Sequence, residues 1–130
     1  MAGGLSAWTG AGSQTVIGGS ASDQFYLGTA FQGVDGATAA ATVTGGTGAG
    51  NLFGMLVNHT AGNFTITDFR AADNKFFLYN YKPADSNAAA QSILNTATVS
   101  GGNTSVMIDG TAKITFLGVT DLKVSDFTIS

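Results

Sequence analysis

The sequence predicts an all-β fold. A short, degenerate β-roll or β-solenoid over residues 17–60 continues into a β-sandwich-like C-terminal part over 61–130, with one short helix near 85–95. Residues 1–16 read as an N-terminal arm or first strand ahead of this single β domain. Three observations lead there. Lys is scarce and Glu absent while Thr, Gly, Ala and Phe abound, a balance that suits strands and turns better than long helices. Several segments alternate apolar and polar residues with the period of a half-buried strand. Two nine-residue blocks, Gly18–Tyr26 and Gly45–Phe53, approximate a G-G-x-G-x-D-x-U-x repeat in which U is a large apolar residue.

Taken in order, residues 1–16 are rich in Gly, Ala and Ser around one large side chain, Trp8, which reads as docking into its own core or into a neighbouring subunit. The first glycine block follows, then a low-complexity stretch, Gly33–Ala41, that reads as a loop. The second block leads into Leu52–Val57, an apolar run bounded by Gly and Asn and therefore a buried strand. From Asn63 to Phe69, Phe64 and Ile66 share one face and Thr65 and Thr67 the other. Lys75–Tyr81 forms a strand with aromatic residues on both faces, so a second layer or another subunit must cover one of them. Asp85 or Ser86 caps a helix running to Asn95. Asp109-Gly110, between the alternating segments Thr104–Ile108 and Thr111–Leu117, signals a hairpin. Val124, Phe127 and Ile129 supply a last packed segment.

Composition excludes several functions. The net charge of −3, with five basic residues scattered over the second half, leaves no cationic stripe for nucleic acid. There is no cysteine, hence no disulfide and no thiolate metal site. No apolar stretch approaches the length of a membrane span, and Met1–Gly12 has neither the basic nor the apolar region of a cleaved signal peptide. His59 is the single histidine and no G-x-S-x-G elbow is present, so the chain reads as non-enzymatic.

All eight acidic residues are Asp, a type favoured in turns and as a short oxygen ligand for Ca²⁺. Asp23 stands at the Asp position of the first block, where it reads either as a calcium ligand or as a cap on its own turn. Asp68 and Asp73 flank a turn and either share a cation or pair with Arg70 and Lys75. Asp35 reads as solvated. The blocks are imperfect: Ala21 replaces the third Gly of the first, and Gly50 takes the Asp position of the second.

Thr65-Ile66-Thr67-Asp68-Phe69, Asp73, Phe76-Phe77-Leu78, Gly102-Asn103-Thr104, Asp109-Gly110-Thr111, Ile114–Val119, Leu122 and Ser125-Asp126-Phe127 come in an order that resembles the C-terminal region of type I secreted proteins with hemolysin-type (RTX) calcium-binding repeats. The resemblance covers roughly residues 15–30, 42–54 and 62–130. It implies calcium held between successive turns, and export through a type I channel that reads an uncleaved C-terminal signal. The few charges leave strand edges poorly protected against pairing between copies. The expected function is thus a small extracellular or cell-surface structural protein. It would self-assemble, with calcium assistance, as a homo-oligomer or homopolymer in a matrix, fibre or surface layer. The alternative is the secretion and folding module of a larger exoenzyme or toxin.

Overall fold

The computed structural model describes residues 6–9, 12–28, 38–48, 50–56, 61–70, 74–79, 84–108 and 112–129. The strands are β1 (Ser6–Trp8), β2 (Gly12–Ile17), β3 (Gln24–Tyr26), β4 (Thr38–Thr44), β5 (Leu52–Leu56), β6 (Ala61–Ile66) and β7 (Lys75–Tyr79). Helix α1 (Ser86–Leu94) follows, then β8 (Thr98–Ser100), β9 (Asn103–Ile108) and β10 (Ala112–Phe116). A single 3₁₀ turn, Val124–Asp126, leads into β11 (Phe127–Ile129). The protein is thus mostly β with one short helix, as the composition predicts.

Two sheets form, ordered β1-β3-β5-β7-β11 and β2-β4-β6-β10-β9-β8. From β1 to β7 consecutive strands go to opposite sheets, and neighbours within each sheet are parallel. Both sheets therefore contain strands from the N-terminal and the C-terminal parts of the chain. Among the described residues the antiparallel pairings are β8 with β9 and β9 with β10; Ile108↔Ala112 is the last described pair on either side of Asp109-Gly110, which lies outside the described residues.

The alternation read from the sequence sets the core. Register places Phe25, Phe53, Phe76 and Phe127 in one inward row of the five-stranded sheet, with Ala7 at its β1 end. Phe25 and Phe53 stack with centroids 5.2 Å apart, and Phe76 meets both Phe127 and Phe116 edge-on. Facing them are Val43, Phe64, Ile66, Val106, Ile108, Ile114 and Phe116 of the other sheet, all buried. Side chains of this size dominate core energetics, so the row ties the two sheets together.

Three expectations need correction. The stretch read as a loop, Gly33–Ala41, is strand from Thr38 onward. Alanine has weak β propensity, but Ala39 and Ala41 face the core while β2 and β6 hydrogen-bond β4 on both sides, and pairing overrides propensity. Trp8 does not enter the core; it lies on the outer face, 48% exposed, stacked on Tyr26. The inward place in β1 belongs to Ala7, because neighbours along a strand face opposite ways. The third correction, to the alignment of the glycine blocks, concerns the turns described below.

The helix begins where its cap predicts. Asp85 is extended and its Oδ1 accepts the Ala88 N–H at 3.1 Å. Ala89, Ala90 and Ile93 are buried, and α1 packs against β9, β11 and the 3₁₀ turn, bridging strands of both sheets. Among the described residues nothing comparable covers β1 and β2, the outermost strands of the two sheets.

Candidate functional site

Register stacks the turns that join the two sheets. Ile17 pairs with Thr44 and Val43 with Ile66, so the residues that open the turns, Gly18, Gly45 and Asp68, fall in one column. Gln24, Leu52 and Lys75 also pair in a row, so Asp23, Asn51 and Asn74 close the turns in a second column. This overturns the alignment of the glycine blocks: the counterpart of Asp23 is Asn51, not Gly50. Asp23 follows Gly18 by five residues, whereas Asn51 follows Gly45 by six, and the extra residue is taken up within the second turn. Gly50 sits there at φ +75°, a conformation costly for any residue with a Cβ.

All three closing residues are buried: Asp23 and Asn51 are 1% exposed and Asn74 0%. Buried polar groups need partners, and the column supplies most of them from turn to turn, leaving the buried Asn74 Nδ2 without one among the described residues. Asn51 Oδ1 accepts the Asp23 N–H at 2.8 Å, and Asn74 Oδ1 accepts the Asn51 N–H at 3.2 Å. Asn51 Nδ2 donates back to the Gly48 carbonyl at 3.2 Å. Asp23 Oδ2 accepts the Gly19 N–H of its own turn at 2.8 Å, which is the capping geometry.

The opening column is bound differently. The carboxylate of Asp68 sits on the turn before it: Oδ1 accepts the Gly45 N–H at 2.7 Å and Oδ2 the Gly46 N–H at 2.9 Å. Successive backbone N–H groups of this kind make an anion-binding concavity. Two residues on, Arg70 reaches over the same turn. Its Nη1 donates to the Gly46 carbonyl at 3.1 Å and its Nη2 to the Gly48 carbonyl at 2.8 Å, while Nη1 lies 3.9 Å from Asp68 Oδ2.

Of the residues named as candidate calcium ligands, the structure thus places Asp23 and Asp68 in the turn stack, in different columns. Asp73, like Asp35 and His59, lies outside the described residues. Among the described residues no three His, Cys, Asp or Glu side chains converge as a metal-binding group. Sequence reasoning missed the Asn51 and Asn74 column and the part played by Arg70. Counting back from Phe25, Phe53 and Phe76 to the residue that closes each turn is the signal that finds the column.

The second feature is the uncovered end. The outer edge of β2 has no strand beside it among the described residues, and Gly12–Ile17 contains neither charge nor proline, the usual protections of an edge. Ile17 is 68% exposed there. In the other sheet β1 carries Trp8, which opens an aromatic row on the outer face. Trp8 stacks on Tyr26 at 5.3 Å, Tyr26 lies 6.5 Å from Tyr79, and Tyr79 stacks on Phe77 at 5.8 Å. Gly54 makes room for the row, because a Cβ there would stand 2.7 Å from Tyr79 Cε2. Partial burial, and secondarily the neighbouring Tyr26, push the Tyr79 hydroxyl above the ordinary tyrosine pKa.

No helix among the described residues is long and apolar enough to cross a membrane. Compared with known protein families and with curated proteins, the chain matches none.

Proposed function

We propose that the chain is a short β-roll that serves as a non-enzymatic, extracellular structural protein, exported by a type I channel and assembling with copies of itself. The β-roll reading is supported by the strand order, in which alternate strands enter opposite parallel sheets through stacked glycine-rich turns. One observation carries the assembly reading: both sheets begin in strands that are uncovered among the described residues, and the β2 edge has no charge and no proline. A second edge is available at β8, where Val99 is exposed. Pairing β2 of one copy with β8 of the next continues the six-stranded sheet. Such a head-to-tail contact gives a fibre wherever the rotation from copy to copy does not close a ring.

The same uncovered end favours a second reading, in which β1 and β2 stack on further repeats that precede them in a longer protein, with this chain as its secretion and folding module. Light scattering and electron microscopy on the purified chain separate the two. Assembly predicts concentration-dependent growth of wild type. It also predicts at least about tenfold weaker association for Ser13→Lys/Thr15→Lys, which sets two cations on the outer face of the edge strand. A wild-type chain that stays monomeric at every concentration overturns self-assembly and leaves the module reading.

A further inference from the structure

The glycine turn after β4 presents backbone oxygens that the first and second turns do not use in joining each other. At that first junction the contact is direct: the Thr47 N–H donates to the Gly19 carbonyl at 3.0 Å and the Asp23 N–H to Asn51 Oδ1 at 2.8 Å. Gly46, at φ +90°, lies so close that a Cβ would clash with the Gly18 and Gly19 backbone. At the second junction a side chain stands between the turns. The Gly46 and Gly48 carbonyls and one oxygen of Asp68 surround the guanidinium of Arg70, with the two carbonyls at 3.1 and 2.8 Å and the carboxylate at 3.9 Å.

Two backbone carbonyls and a carboxylate from successive turns are the kind of oxygen set that a hard divalent cation takes. A guanidinium answers it in another way, because its planar fork reaches two acceptors at once and stays charged at any physiological pH. The Gly48 oxygen also accepts Asn51 Nδ2, so both of its lone pairs are used. Of the lysines whose contacts the structure shows, Lys75 donates to the Ser125 carbonyl and Lys123 lies beside Asp121, so neither serves this turn.

We infer that Arg70 is the resident cation of the junction between the second and third turns. It joins them without a metal, and its removal leaves an oxygen set open to calcium. The aspartate and the arginine act as one device: Asp68 takes the N–H groups of the second turn, and Arg70 takes its carbonyls.

Thermal melting at one protein concentration, in chelator and in excess calcium chloride, tests this on wild type, Arg70→Ala and Arg70→Lys. In chelator Arg70→Ala melts lower than wild type by about 5–10 °C, the loss expected for two charge-assisted hydrogen bonds. Calcium then raises the melting temperature of Arg70→Ala by at least about 5 °C more than it raises that of wild type. Arg70→Lys keeps the charge without the fork and melts between the other two in chelator. A calcium response no larger in Arg70→Ala than in wild type overturns the inference, as does an unchanged melting temperature in chelator. If Arg70→Ala is unfolded in both buffers, Arg70→Lys decides: a folded variant melting below wild type supports a required cation here, and an unfolded one overturns it.

Discussion

The two ends of this molecule are finished differently. At the C-terminal end α1 lies against β9, β11 and the 3₁₀ turn, and Phe127 completes the inward phenylalanine row. At the N-terminal end that row stops at Ala7, while Trp8 and Ile17 stand on the surface. Phe127 is buried at the C-terminal end, whereas Trp8 at the N-terminal end is half-exposed. A helix laid over an end excludes water from the core there; an uncovered edge keeps backbone N–H and C=O groups available to another strand. In our reading the helix-covered core supplies stability, while the β2 edge at one end and the β8 edge at the other supply assembly.

The sharpest way to break this contrast is to truncate one aromatic at each end. Phe127→Ala should lower the unfolding free energy by about 3–5 kcal/mol, as expected for a buried phenylalanine. Trp8→Ala, removing a half-exposed ring, should cost about 1 kcal/mol or less. Denaturant titration measures both, and equal losses would abolish the distinction between the ends. A smaller effect should come from the helix cap. Asp85→Ala leaves the Ala88 N–H without its acceptor and should cost about 1 kcal/mol, seen as a lower denaturation midpoint with an unchanged slope.

The smallest expected effect is a pH dependence in the aromatic row. Because the folded pKa of Tyr79 is raised, the unfolded chain loses its phenolic proton first. The associated stability is fully present below about pH 10 and is lost as pH rises from there through the folded value. Ultraviolet titration should show a phenolic step above the ordinary tyrosine range, and Tyr79→Phe should remove that step and flatten the alkaline loss of stability. An unchanged titration in the variant would show that the raised group is elsewhere.

Much of the fold is legible in the chain because local rules agree with global ones. Phe64 and Ile66, Phe76 and Leu78, and Ile114 and Phe116 alternate with polar or outward residues, and every one of them is buried. Asp85, one of the two residues read as the cap, caps the helix. The site is less legible. Asp68 reads as a partner for Arg70, yet the bonds that matter run from both side chains to glycine backbone on the preceding turn, more than twenty residues away. No local spacing encodes such a contact.

By itself the sequence determined where most strands and the helix lie and the inward faces of segments such as Phe64–Ile66 and Ile114–Phe116, because side-chain period and capping act over a few neighbouring residues. Only the tertiary structure decided that Ala39–Ala41 is strand, that Asn51 stands over Asp23, and that the guanidinium of Arg70 answers the carbonyls of Gly46 and Gly48. Each of these depends on register between strands, and register is set by packing partners far apart in the chain. A one-residue difference in turn length, invisible to a repeat pattern, was enough to move the counterpart of Asp23 from Gly50 to Asn51.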